Sequence, residues 1–186
     1  MTAPTGPTPN RIILLMKVST YRAGAFLDAA NKLGIEVIQG VDIPPELANQ
    51  WNVPLGLQFD EPEQAVRRLI EFARERPVQA ILSVDDSATV IAARASEALG
   101  LVHNSSQSAV AARNKLEMRR LMAAGEVPVP HFRAYPTSDD PAQIAAEVDF
   151  PCVIKPLLLS GSRGVMRANN PAEFEAAFRR LRRMLH

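Results

Sequence analysis

The chain has 186 residues, 47% of them hydrophobic and 22% charged, enough for one sizeable domain or two small ones. Lys and Arg number 21 against 20 for Asp and Glu, a formal net charge of +1, so no global field favours nucleic acid or an anionic membrane and any anion must be recognised locally. A single cysteine, Cys152, excludes an intrachain disulfide and a cysteine metal cluster, which makes a reducing cytoplasm the expected compartment.

Residues 1–10, MTAPTGPTPN, have neither a cationic start nor an apolar core and read as a flexible tail, not a secretion signal. From Arg11 to Val18 the text RIILLMKV reads as a strand buried on both faces, its run IILLM being apolar without alternation, and that run is too short to span a bilayer. Ala23, Phe26, Leu27, Ala30 and Leu33 then recur at helical spacing, with Gly34 as a left-handed stop. The next strand is IEVIQG. A Pro-rich connector containing Trp51 leads to a helix opened by an Asp60/Glu63 capping box, with Val66, Leu69, Ile70 and Ala73 on its inner face. VQAILSV supplies a further strand, and Asp86 or Ser87 caps a helix through Ile91, Ala95 and Leu99 to Gly100. The β-α-β-α alternation predicts a parallel sheet with helices on both faces. It defines an α/β, Rossmann-like domain over residues 11–112, its regular structure ending near His103.

Residues 113–186 have a different rhythm, that of an α+β unit. Asn114 and Glu117 form a capping box for a helix with Met118, Leu121, Met122 and Gly125 on one face. VPVPHFRAY is extended, its prolines favouring a sheet edge. Asp140, Pro141 and Gln143 start a short helix. PCVIK and GVMRA then form an antiparallel hairpin around the loop PLLLSGSR, and Asn170, Pro171 and Glu173 open a helix carrying Phe174, Ala177, Phe178, Leu181 and Leu185.

Two lysines raise a chemical question. Lys155 follows an apolar run, and a charge at the end of a buried strand costs free energy unless an anion meets it. The small residues after it give a loop whose backbone amides can bend around an anion. A surface hairpin with a snorkelling lysine satisfies the same residues. Lys115 sits just inside a capped helix start, where free amides and the macrodipole already favour negative charge, so its position suggests a phosphate there. A solvated surface lysine is the competing reading. The pattern GxxxxGK[ST] is absent, so the loop is not a P-loop, and the first turn, KVSTYRAG, lacks the GxGxxG of a dinucleotide-dependent oxidoreductase.

Taken in order, Asn114-Lys115 opening a helix, Gly125 to Pro130, Phe150 to Pro156 and the loop Ser160 to Gly164 resemble the first half of the ATP-grasp superfamily. The stretch STYRAGAFLDAANKLGIEV is similar to the N-terminal domain of its amino-acid ligases and carbamoyl-phosphate synthetase-like proteins, so the resemblance runs from Arg11 to the end. It implies a pre-ATP-grasp domain followed by the first, lid-like ATP-grasp subdomain. It also implies ATP and Mg²⁺ as cofactors, a small carboxylate-containing substrate, and carboxylate–amine ligation through an acyl-phosphate. Lys115 would face the ATP phosphates and Lys155 would reach the nucleotide near the adenine and α-phosphate. Ser160, Gly161, Ser162, Arg163 and Gly164 would form a mobile flap. Arg163 departs from the all-glycine flap of some members and resembles the GRG of biotin-carboxylase-like ones.

Family members continue into a second half that supplies the adenine hinge, the Mg²⁺ ligands and arginines for the reacting carboxylate. Glu173 and Glu175 read as a helix cap and its solvated neighbour, so no metal ligand is assigned here. The expectation is therefore a truncated or split form, with a second polypeptide among the partners that could complete it and activity of this chain alone in question. The alternative is a non-catalytic α/β module sensing a small ligand.

Asp85 and Asp86 follow a strand at its carboxyl end, where open α/β sheets bind ligands, and Tyr21 and Arg22 occupy a similar rim, so all four are candidates for the acceptor substrate. Helix capping by Asp86 and a simple helix opening at Tyr21 and Arg22 compete with that reading. His103 reads as a loop histidine, Cys152 as a small apolar residue, and Arg179, Arg180, Arg182 and Arg183 as a solvated face near a helix C-terminus.

Overall fold

The computed structural model describes residues 10–186; the stretch 1–9, within the segment read as a tail, lies outside the described residues. Asn10 begins the described chain, its side-chain amide donating to the Gly34 carbonyl at 2.7 Å. The chain divides into two compact units, the first ending at Ala109 and the second starting at Val110.

The first unit is built on a four-stranded, wholly parallel sheet of β1 (Arg11–Met16), β2 (Glu36–Asp42), β3 (Leu55–Leu57) and β4 (Ala80–Ser83), in the order β3-β2-β1-β4. Ile13 through Met16 are all buried because β1 sends alternate residues into two cores. Ile13 and Leu15 pack with Leu57, with Leu69 of α3 (Pro62–Glu75) and with Ile91 of α4 (Thr89–Leu99). Leu14 and Met16 face the other way, toward Val41, α1 (Ala23–Lys32) and α2 (Pro45–Gln50). Full burial of side chains such as Leu69 and Ile91 stabilises the unit by about 1.5–3 kcal/mol each, more than any surface ion pair it carries.

Helix α1 ends at a Schellman turn: Gly34 has φ +63°, Ile35 N–H donates to Ala30 at 2.9 Å and Gly34 N–H to Asn31 at 3.1 Å. Leu33, expected on the inner face, is 69% exposed because it is the C-cap, beyond the last inward-facing turn. Two caps differ from expectation. Helix α3 starts at Pro62 with Glu61 at the N-cap and no side-chain cap, leaving Asp60 outside, since a proline at the first position has no N–H to satisfy. A 3₁₀ turn, Asp86–Ala88, separates β4 from α4, and Ala88, not Asp86 or Ser87, holds the N-cap of α4.

Three elements escape the periodicity. Helix α2 is a single short helix opened by Pro45 within what reads as a loop. Strand β3 has only three residues, too few for a pattern. Helix α5 (Ser106–Arg113) begins in serines, with Ser105 Oγ accepting from Ser108 N–H at 3.1 Å as a cap.

The second unit holds α6 (Lys115–Ala124), α7 (Pro141–Ala145), β5 (Cys152–Ile154), β6 (Met166–Ala168) and α8 (Pro171–Leu185). Strands β5 and β6 pair antiparallel, Cys152 opposite Ala168 and Ile154 opposite Met166. One face of this hairpin is covered by α7 and α8 through Ile144, Phe174, Phe178 and Leu181. Phe174 meets Phe150 edge-on at 6.2 Å and stacks on Phe178 at 6.0 Å. Asp140 caps α7, and Asn170 caps α8 by accepting from Glu173 N–H at 3.0 Å. The segment 127–135 joins no strand pairing among the described residues, since Pro128 and Pro130 have no N–H to give a ladder. No residue of α6 is buried, and Leu121 and Met122 are more than a third exposed.

Candidate functional site

Only one face of the β5–β6 hairpin is covered, and that decides the setting of Lys155. Ile154 is buried, but Val153 on the open face is 57% exposed, and Lys155 lies past the strand and is itself exposed. The expectation of a lysine at the end of a buried strand is therefore corrected: the strand has an open face and the lysine is exposed, so its charge is solvated. Lys155 makes no hydrogen bond or ion pair among the described residues, so a ligand would compete only with water for it.

Lys115 is the first residue of α6, which places it where the sequence predicts, but its surroundings differ. Asn114 Oδ1 accepts from Leu116 N–H at 3.0 Å and Glu117 N–H at 3.3 Å, while Lys115 N–H donates to the Leu157 carbonyl at 3.2 Å. The amides at this helix start already have acceptors, so they are not the free donors the sequence suggests. The Lys115 ammonium donates to the carbonyls of Leu159 at 2.7 Å and Leu157 at 3.3 Å. Partial burial and then the charge of Lys155 hold its pKa below the ordinary lysine value. The two cations therefore share one electrostatic neighbourhood.

Between these lysines and β6 the chain makes a tight turn. Arg163 N–H donates to the Ser160 carbonyl at 3.4 Å, and the two residues between, Gly161 and Ser162, have φ of +63° and +58°. Two consecutive positive φ values are the mark of a primed hairpin turn, which costs Ser162 about 1–2 kcal/mol that a glycine would not incur. Arg163 Nε also donates to Ser160 O at 3.2 Å. Ser160, Gly161, Ser162 and Arg163 are all exposed. Gly164 is not part of that free edge: a Cβ on it would lie 2.9 Å from Met184, 3.0 Å from Leu181 and 3.2 Å from Pro156.

The other candidates lie in the first unit. Asp85, after β4, turns its carboxylate inward on the sheet edge: it accepts from the Thr20 hydroxyl at 3.2 Å and from Lys17 N–H at 3.4 Å. That ties down the β1–α1 connection. Asp86 is exposed in the 3₁₀ turn, its carbonyl accepting from Thr89 Oγ1 at 2.9 Å. Tyr21 is 94% exposed, and Arg22 is the N-cap of α1 without a side-chain cap bond. At the C-terminal ends of β1 and β2 is a largely apolar cavity of about 220 Å³ whose lining includes Lys17, Thr20, Gln39 and Trp51. Tyr21, Arg22, Asp85 and Asp86 are not among its lining residues. Among the described residues no group of three His, Cys, Asp or Glu side chains is placed to hold a metal, and no helix is long and apolar enough to cross a membrane. His103 Nδ1 lies 2.6 Å from the Asn104 carbonyl, and Cys152 packs half-buried beside the hairpin core, which raises its pKa.

Sequence reasoning missed the parts of this site that are backbone. Leu157 and Leu159 read as hydrophobes, yet it is their carbonyls that meet Lys115. No side-chain signal could have found them. Thr20 was findable, since a hydroxyl after the first strand and an acid after the fourth converge at one edge of a parallel sheet.

The family model of the ATP-grasp N-terminal domain matches residues 27–102, and that of the ATP-grasp domain matches residues 148–186. A formate-dependent phosphoribosylglycinamide formyltransferase of Burkholderia pseudomallei is 29% identical over 185 residues, covering 95% of this chain and 43% of that protein. Among solved structures, an L-amino acid ligase from Bacillus licheniformis superposes with a TM-score of 0.69 at 21% identity, over 95% of this chain and 43% of the other. The N5-carboxyaminoimidazole synthase of Aspergillus clavatus, in complex with ADP and 5-aminoimidazole ribonucleotide, gives 0.62 at 20% identity, over 94% and 44%. The chain spans less than half the length of each of these proteins.

Proposed function

Since the chain belongs to the ATP-grasp superfamily, whose relatives above are ligases and a formyltransferase, we propose that it binds ATP through its second unit and serves carboxylate–amine ligation by way of an acyl-phosphate. In that reaction a substrate carboxylate oxygen takes the γ-phosphoryl group, ADP leaves, and an amine displaces phosphate from the acyl carbon to form the amide. The observation that carries the reading is the pair of cations: Lys155 is near enough to Lys115 to lower its pKa, and Lys115 is bonded to the carbonyls of Leu157 and Leu159, just before the exposed turn 160–163. Two like charges in one neighbourhood repel, and a polyphosphate is the ligand that turns this cost into attraction.

The roles assigned to this chain are positioning and charge neutralisation. Lys155 would reach the nucleotide near its adenine and α-phosphate, and Lys115 would face the phosphates. The turn Ser160–Arg163, hinged at Gly164, would cover them and exclude water. Magnesium, which family membership implies, finds no carboxylate cluster among residues 10–186, so the neutralisation assigned here rests on the lysines. Metal ligands would come from outside these residues, in the same or a second polypeptide. Tyr21, Arg22, Asp85 and Asp86 remain candidates for lining the acceptor-substrate site, with Asp85 also holding the β1–α1 connection through Thr20 and Lys17. The cytoplasm is the compartment that suits the lone Cys152.

Calorimetric titration with ATP, ADP and GTP, with and without Mg²⁺, tests the reading. Each charge-assisted contact is worth about 1.5–3 kcal/mol, so Lys155→Ala should weaken ATP binding about 10- to 100-fold. Unchanged affinity in that variant would remove the proposal. A second reading, a small-ligand module without catalysis, is favoured by the cavity of about 220 Å³ in the first unit. Indifference to ATP, with a Trp51 fluorescence response to a small metabolite, would support it instead.

A further inference from the structure

We infer that the two lysines divide the work of this site: Lys115 anchors the backbone of residues 157–159 and so positions the turn 160–163, while Lys155 is the free cation offered to a ligand. An ammonium has three N–H donors. Lys115 uses two on loop carbonyls, Leu159 at 2.7 Å and Leu157 at 3.3 Å, and its main-chain N–H grips Leu157 again at 3.2 Å. One helix-terminal residue thus holds the chain from both its backbone and its side chain, and a single N–H is left for an anion. At the far side of the turn Gly164 is lodged against Leu181, Met184 and Pro156. With both ends fixed, residues 160–163 are left as an exposed tip whose hydrogen bonds among the described residues are all local, Arg163 to Ser160 and Val165 to Ser162. Lys155 contrasts on each count, being exposed and without a protein partner among the described residues. A rigid frame around a four-residue tip is a cheaper way to cover a ligand than ordering the whole loop would be, because the entropy of fixing 157–159 is already spent.

The ligand half of this inference rests on the nucleotide reading above, whereas the anchoring half does not, and the experiment keeps them apart. Limited trypsin digestion of the full chain without nucleotide reads cleavage after Arg163, which lies on the exposed turn; the Lys155–Pro156 bond is not a trypsin site. Lys115→Met should speed that cleavage about tenfold relative to cleavage elsewhere in the chain, because the charged bonds to the carbonyls are lost. Lys115→Arg should restore most of the protection, its guanidinium again donating to carbonyls. Lys155→Met should leave cleavage unchanged while weakening ATP. If Lys115→Met does not fold, hydrogen exchange on the unaltered protein replaces it: the Lys115 amide should exchange more slowly than those of Gly161 and Ser162. Equal cleavage in the original protein and Lys115→Met, equal loosening by Lys155→Met, or equal exchange at the three amides would overturn the division of labour. A loosened turn without any ATP binding would leave the anchor standing and remove the nucleotide reading alone.

Discussion

Lys155 lowers the pKa of Lys115, second only to the partial burial of Lys115 itself, although Lys115 opens α6 while Lys155 follows β5, and neither shares a partner with the other. Since the folded-state pKa lies below the ordinary 10.5, the fold is penalised while Lys115 is charged, and stability rises as pH climbs from the depressed value through 10.5. In Lys155→Met the Lys115 pKa should move upward but stop short of the ordinary value, because the burial remains. Carbon-13 NMR of isotope-labelled lysine side chains across alkaline pH measures it. No movement would place the two charges out of range of one another.

Gly164 should tolerate no side chain. Its φ of +73° disfavours any residue with a Cβ, and that carbon would lie 2.9–3.2 Å from Met184, Leu181 and Pro156. Met184 is flexible and can yield, so the backbone cost and the Leu181 contact set the effect. Gly164→Ala should destabilise the second unit by about 2–5 kcal/mol in urea unfolding. Gly161→Ala, with open space around it, should cost only the conformational part, about 1–2 kcal/mol.

Asp85→Ala should loosen the connection between β1 and α1 by removing the acceptor of Thr20 Oγ1 and Lys17 N–H. Both bonds are long, so the loss should be about 0.5–1.5 kcal/mol. The amide of Lys17 should exchange faster while the amides within β1 keep their protection. Unchanged exchange at Lys17 would show that the carboxylate is not what holds the turn.

Glu173 carries a pH signature. Bonds from the Asn169 backbone amide and side chain, with help from Asn170 and Arg167, hold its carboxyl below the ordinary 4.5. A depressed folded-state pKa means that its contribution is complete above the unfolded value and is lost as pH falls through the folded one. The melting-temperature gap between the original protein and Glu173→Gln should therefore hold from pH 7 to about pH 5 and close in more acid solution. A gap that persists at the acid end would assign the difference to packing and not to charge.

Much of the architecture was legible because it depends on local pattern. The continuous apolar run at Ile12 to Met16 gives a strand covered on both faces, and the 3.6-residue recurrence in Val66, Leu69, Ile70 and Ala73 gives a helix with one inner side. Gly34 announced its turn through the backbone freedom the position demands. Asn114 and Asn170 announced their caps through the acceptor each carries. The family resemblance was likewise a matter of order: lysine, proline and glycine positions along the chain.

What the sequence determined by itself is this set of short-range choices and the identity of the two cations. Only the tertiary structure decided how those cations are used. Whether Lys155 is buried depends on how many faces of a hairpin are covered, and the covering helix α8 lies far along the chain. Whether Lys115 is free depends on two leucine carbonyls, chemically the same as every other carbonyl in the chain. Long-range backbone partnerships leave no mark on side-chain pattern, because any residue type can supply a carbonyl, and so the division between an anchored lysine and a free one could be read only from the fold.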